Sequence, residues 1–344
     1  MNPVPFYVGI DISNDDFAAS IFKAPTDPIK TMAEISNDFS GFEKLESWLI
    51  NNQVQPDNCV ICLEATGVYG EALSYFLSAK GYQVAVEPPL KVKRAFSVKG
   101  HKNDKVDSKK ISEYAYRFFD ELKLWRPKAN VIEQIKVLLM TREQLVGQRT
   151  ALSNTLTALR KKVIQTPLAN EIYQKNVERF GAQIKKIEKE LNKLIDKHPD
   201  FKMTVKALDS IPGVGMLLAA NFLVVTDGFE NEMAIQYRKA SAYIGICPYE
   251  YSSGTSVYKK PRIPKYGPAR LRKLLHLAAR SVVTHNADFS TYYIQKIAQG
   301  KAKKLILNNV SNKLLKIMCA VTRTHKPFVD NYVSIHPQFA FINP

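Results

Sequence analysis

The spacing of apolar and polar residues changes character twice along the chain, and each change predicts a different architecture. Residues 6–13, 16–22 and 30–36 read as three successive strands, the first two joined by the polar turn Ser13-Asn14-Asp15. A helix is predicted from Phe42 to Ile50, then a strand over Val60-Ile61-Cys62-Leu63-Glu64 and a helix from Glu71 to Lys80. A strand over 83–86 and a helix from about Asp104 to Leu122 complete this part. From Val131 the period becomes seven, through Val131, Leu138, Leu145, Leu152 and Leu159. After Thr166-Pro167 a second series runs Val177, Phe180, Ile184, Ile187, Leu191, Leu194 at alternating steps of three and four, so two long helices should fold back as a coiled-coil hairpin. Arg142 and Arg149 fall where the first seam expects apolar partners, and a polar layer, a dimer contact and a nucleic-acid face remain open for them.

Three strands, helix, strand, helix, strand, helix is the element order of a ribonuclease-H-like (RuvC-like) α/β domain. In that order the first and fourth strands lie side by side and the last helix packs across them. The expected division is therefore an α/β domain over 1–125, the hairpin over 126–200, a mainly α unit over 201–330 and an irregular tail over 331–344. Within the third unit, Leu208-Asp209-Ser210-Ile211-Pro212-Gly213-Val214-Gly215 before an apolar helix has the form of a helix-hairpin-helix, in which Gly213 and Gly215 let backbone amides approach a phosphate. A plain turn between core helices is the simpler alternative. A hydroxyl-rich loop over 248–256 then leads into Lys259, Lys260, Arg262, Lys265, Arg270, Arg272 and Lys273, with Tyr258 and Tyr266 among them. Cations interleaved with aromatics suit a surface that grips a nucleic-acid backbone, although a solvated basic face has the same composition. The helices around 291–299 and 304–322 read as core packing.

Composition adds a sign to this picture. Lys and Arg number 49 against 32 Asp and Glu, a net charge of +17 in 344 residues, which favours polyanionic partners and nucleic acid first. The longest apolar stretch, residues 216–225, is too short to span a bilayer and contains Asn221. Asp11, Asp15 and Asp16 stand where a signal peptide would need its apolar region, so a cytoplasmic location is expected. Cys59 and Cys62 form a CxxC, but Cys247 and Cys319 supply no second half of a zinc site, and the pair reads as small apolar strand residues.

Against so basic a background, four acids stand out. Asp11 interrupts the apolar run 7–12, Glu64 ends the run 60–64, and Asp104 and Asp107 share one face at the start of a helix. Two bare carboxylates about 4 Å apart repel by roughly 4 kcal/mol at an effective dielectric near 20, so gathering them requires a cation. Taken singly, each has an ordinary reading as a turn, cap or macrodipole residue.

In this arrangement the chain resembles the DEDD transposases of the IS110 family of insertion sequences, with the related Piv-type DNA invertases. The resemblance rests on Gly9-Ile10-Asp11, Glu64-Ala65-Thr66-Gly67 with Tyr69, Asn103-Asp104-Lys105-Val106-Asp107, Ile211-Pro212-Gly213-Val214-Gly215 and Ser253-Gly254-Thr255-Ser256-Val257 before the basic run. It implies an acidic tetrad, Asp11, Glu64, Asp104 and Asp107, that holds Mg²⁺, and a second domain whose nucleophile matches Ser253. It further implies cutting and rejoining of target and donor DNA through a covalent phosphoserine, guidance by a structured bridge RNA, and a dimer or tetramer, with a site assembled between protomers as one arrangement. No His, Lys or Glu adjoins Ser253 as an obvious base, and Ser252, Thr255 and Ser256 are near neighbours. Two alternatives use fewer of these residues: a junction resolvase that activates water and needs no RNA, and a non-catalytic nucleic-acid-binding protein.

Overall fold

The computed structural model describes residues 4–23, 29–65, 67–96, 104–253, 257–263 and 267–330, and over 250–253 and 257–262 the backbone alone. The chain divides into two compact units, residues 1–127 and 128–344.

The first unit is built on β1 (Phe6–Ile12), β2 (Asp16–Lys23), β3 (Lys30–Ser36), β4 (Cys59–Glu64) and β5 (Gln83–Glu87). These form one mixed sheet in the order β3-β2-β1-β4-β5, with β1 antiparallel to β2 and parallel to β4. Helices α1 (Phe39–Asn51) and α2 (Glu71–Ala79) cover one face through Phe42, Leu45, Leu49, Leu73 and Leu77. Helices α3 (Pro89–Ala95) and α4 (Asp104–Arg117) cover the other through Val92, Ile111, Tyr114 and Ala115. Burial on both faces explains why β1 and β4 read as continuous apolar runs rather than alternating ones. Cys59 belongs to the α1 face and Cys62 to the α4 face, since residues three apart on a strand point oppositely.

Three expectations needed correction. α1 starts three residues before Phe42, because the Asp38 carboxylate accepts a 2.8 Å hydrogen bond from the Gly41 amide and satisfies a first-turn donor. α4 ends at Arg117 rather than Leu122: the chain leaves the helix at Phe118, which stacks on Tyr114, and Phe119 sets its ring edge-on to Tyr7 at 5.7 Å. The basic stretch after Pro88 contains a further helix, α3, anchored by Val92.

The second unit holds α5 (Asn130–Leu159), α6 (Pro167–Asp196), α7 (Pro199–Asp209), α8 (Met216–Val225), α9 (Tyr237–Ile244), the hairpin β6 (Tyr249–Ser253) and β7 (Val257–Arg262), then α10 (Ala269–His285), α11 (Ala287–Ala298) and α12 (Lys303–Thr324). α5 and α6 pack antiparallel, and Ile132, Ile135, Leu139, Leu191 and Ile195 join one core with α8, α10 and α12. Arg142 forms a 2.7 Å ion pair with Glu188 across the hairpin, a polar layer, and the Arg149 guanidinium lies against Gly181. Residues 249–253 of the hydroxyl-rich segment, expected as loop, form the strand β6, whose backbone pairs antiparallel with β7 (Tyr249 opposite Arg262, Tyr251 opposite Lys259) with a register shift between the two tyrosines. α12 carries a full core face, whereas α11 buries no side chain completely. No helix among the described residues is long and apolar enough to cross a membrane.

Candidate phosphoryl-transfer site and nucleic-acid interface

Register positions the first two acids. Ile10 pairs with Leu63 between the parallel strands, so the next residues, Asp11 and Glu64, are cross-strand neighbours, about 4.8 Å apart along the backbone. Both share the sheet face of Tyr7, Val60 and Cys62, the face that α4 covers.

The direction of α4 positions the other two. Its C-terminal Tyr116 meets Tyr7 and Phe22, while Ser108 hydrogen-bonds to Ser20 at 2.8 Å, and Ser20 is the register partner of Gly9. α4 therefore runs antiparallel to β1. Two strand residues carry Gly9 to Asp11, about 6.6 Å, and four helical residues carry Ser108 back to Asp104, about 6 Å, so the first turn of α4 lies toward the same sheet end. Only glycine at position 9 permits this approach, because a Cβ there would stand 2.1 Å from the Ser112 amide nitrogen and 2.2 Å from the Ser108 carbonyl oxygen.

The four carboxylates thus belong to one end and one face of the sheet. Among the described residues, however, no three His, Cys, Asp or Glu side chains stand close enough to share one ion. Asp107 pairs with the Lys110 ammonium at 2.7 Å, and carboxylate oxygens are the donor type that hard divalent cations take.

A fifth acid escaped the sequence reading, which ended the last strand at Val86. Glu87 is the register partner of Glu64 on β5, is 4% exposed, and pairs with Lys91 at 3.1 Å. Burial opposes the Lys91 charge, but Tyr114 and Glu87 outweigh it and its pKa lies above the usual lysine value. The available signal was position: Glu87 ends a strand at the same height as Glu64.

In the second unit, Ser253 is the last residue of β6 and pairs with Val257, while Ser252 pairs with Tyr258. Gly254, Thr255, Ser256, Lys265 and Tyr266 lie outside the described residues. Lys259, Lys260 and Arg262 lie on β7, next to Ser253 in the hairpin. The cations on α10 have partners inside the unit: Lys273 and Arg270 pair with Glu143 at 2.6 and 3.7 Å, and Arg272 donates to the Ile244 carbonyl at 2.6 Å. The hydrogen bond from Lys273 holds the Glu143 carboxyl below the usual range. Burial lowers the Arg270 pKa, which Arg142 reinforces and Glu143 opposes. Gly213 has φ +80° and turns its missing side chain toward the Ala278 carbonyl of α10, whereas nothing lies within 4 Å of a Cβ added at Gly215, the N-cap of α8. Of the two glycines, Gly213 is committed to packing, and a side chain at Gly215 would meet open space.

Residues 8–164, which contain all four acids, match the sequence profile of DEDD transposases of the IS110 type. Residues 205–294, which contain both glycines, Ser253 and the basic run, match that of the IS116/IS110/IS902 transposase family. The pilin gene-inverting protein of Moraxella lacunata is 27% identical over 94% of this chain and 97% of its own length. Its counterpart in Moraxella bovis is 26% identical over the same shares. The transposase of the insertion sequence IS1111A from Coxiella burnetii is 25% identical over 65% of this chain and 67% of its own. With two profiles of one family matched in order, and relatives similar over up to 94% of the chain, this protein belongs to the IS110 family of transposases, enzymes of DNA recombination.

Proposed function

We propose that the protein cuts and rejoins DNA strands as the recombinase of an insertion sequence, using Mg²⁺ held by Asp11, Glu64, Asp104 and Asp107 and Ser253 as nucleophile. The observation that supports this most directly is the β1–β4 register, which makes Asp11 and Glu64 neighbours on the face that α4 covers. Asp11, Glu64, Asp104 and Asp107 would hold the ions, which would supply charge stabilisation to the scissile phosphate and to the entering and departing oxygens of an in-line displacement. The Ser253 hydroxyl oxygen bonds to phosphorus as the bond to the leaving deoxyribose oxygen breaks, and a strand-end hydroxyl later reverses that exchange. Lys259, Lys260 and Arg262 offset phosphate charge beside the serine.

A structured bridge RNA is the guide in this reading, so base pairing rather than protein side chains selects target and donor DNA. Strand exchange needs two cut strands held together, and the working form is accordingly a dimer or tetramer. A second outcome of the same chemistry, inversion of a DNA segment, is favoured by the pilin gene-inverting relatives, which are similar over 94% of the chain.

The test supplies both DNA ends, RNA transcribed from beside the gene, and Mg²⁺, and looks for protein-linked DNA on a denaturing gel. Wild type should give that adduct, and Asp11→Asn and Ser253→Ala should not. An adduct from Ser253→Ala would refute the nucleophile, and cleavage without any adduct would point to water instead.

A further inference from the structure

The helix that buries no side chain completely, α11, and the solvent face of α12 carry a second concentration of positive charge outside the β7–α10 region. Between residues 287 and 324 the chain has seven Lys or Arg and one acid, Asp288. Elsewhere in this unit lysines find carboxylates one helical turn away, as Lys193 does with Glu190 and Lys175 with Glu171. Here the sequence offers no such partner; the ammonium groups of Lys296, Lys313 and Lys316 lie over tyrosine rings, and Lys296 also donates to the Gln299 side-chain oxygen at 2.8 Å.

The Lys313 and Lys296 ammonium groups lie 4.6 and 5.8 Å from the centre of the Tyr292 ring, and that of Lys316 lies 5.6 Å from the centre of Tyr237 on α9. Lys313 and Lys316 are three apart on α12 and share a face, so the two clusters are continuous. Arg238 extends the row, donating to the Tyr237 hydroxyl at 3.4 Å. The Tyr237 phenol has its pKa lowered, first by the Arg238 hydrogen bond and charge and also by Lys316, as expected where cations are concentrated. The rings support the lysine stems, and at exposed Lys313 and Lys316 the charged heads stay in solvent.

We propose that Arg238, Lys296, Lys313 and Lys316, arranged on Tyr237 and Tyr292, form a second docking surface that holds the phosphate backbone of duplex DNA. Duplex DNA carries one charge per roughly 1.7 Å of axis, the density that a row of cations without acids complements. The choice of DNA rests on the recombinase reading above, and the surface extends that reading by giving a recombinase that handles two DNA segments a further place to hold one.

The experiment measures binding of the full chain to a non-cognate 30-base-pair duplex and to an RNA hairpin across a salt series. Its variants are Lys313→Gln/Lys316→Gln and, separately, Tyr292→Leu. Loss of two phosphate contacts should weaken duplex binding tenfold or more at low salt and reduce the slope of log K against log salt by about 2. Tyr292→Leu should weaken it less and leave most of the slope. A double variant that binds duplex like wild type, or that loses RNA binding alone, overturns the surface while adduct formation by wild type keeps the recombinase reading intact. If wild type itself binds no duplex, the surface falls, and the adduct assay decides the recombinase reading separately.

Discussion

Replacing Gly9 with alanine would separate the carboxylates without touching any of them. The added Cβ would meet the Ser112 nitrogen at 2.1 Å, the Ser108 oxygen at 2.2 Å and the Ile111 carbonyl carbon at 2.7 Å, all of them α4 backbone. Ordinary contact begins near 3.4 Å, so α4 has to withdraw by roughly 1.3 Å, since no side-chain rotation relieves a clash with backbone. That displacement breaks the register between Ser108 and Ser20 and carries Asp104 and Asp107 away from Asp11. Overpacking of this kind costs about 1–3 kcal/mol, and a misplacement near 1 Å in an active site costs about 10²-fold in rate. The expected result is a lowered unfolding midpoint together with about a hundredfold slower adduct formation. Duplex binding should persist, because the candidate DNA-holding residues belong to the other unit. Gly147→Ala is the control: it lies within α5 with nothing inside 4 Å, and should stabilise by up to about 1 kcal/mol. If Gly9→Ala unfolds and cleaves like wild type, α4 is not locked on β1 and the account of how the acids are gathered is wrong.

Three other outcomes are expected. Gly213→Ala forces φ near +80° on a residue with a side chain and sets its Cβ 2.9 Å from the Ala278 carbonyl oxygen, which should cost about 1–3 kcal/mol in urea unfolding; a neutral result would remove Gly213 from the packing of α8 on α10. In the native protein at neutral pH a thiol reagent should modify exposed Cys247 quickly and reach Cys59, Cys62 and Cys319 only in denaturant, since burial pushes the thiols of Cys59 and Cys319 up to about 12 and that of Cys62 higher still. Finally, the Glu143 pKa is depressed in the folded state, so its pairing contributes stability above the unfolded value of about 4.3 and loses it as pH falls through the lower folded value. Lys273→Met should therefore destabilise near neutral pH by an amount that shrinks on acidification, and a pH-independent difference measured by denaturant unfolding would refute the pairing.

By itself the sequence determined the five-stranded order of the first unit and the two long helices that follow, because burial on both faces of β1 and β4 and the apolar repeats of α5 and α6 impose periods that need no knowledge of the partner surface. α3 and β6 went unread, and the buried line of α5 runs through Ile132, Ile135, Leu139 and Leu156, beside the expected seam rather than along it. Asp11 and Glu64 were legible for the same reason, each being a lone charge in an otherwise apolar strand. Tertiary structure decided what depends on direction and register. The antiparallel course of α4 over Gly9, the neighbour relation between Glu64 and buried Glu87, and the Arg142–Glu188 layer all join residues far apart in the chain, and no local pattern encodes such distances. The sharpest contrast is in the basic residues. Charge reads identically in Lys273 and Lys313, yet Glu143 neutralises the first and Tyr292 leaves the second open, because a cation's availability depends on which neighbour the fold brings to it.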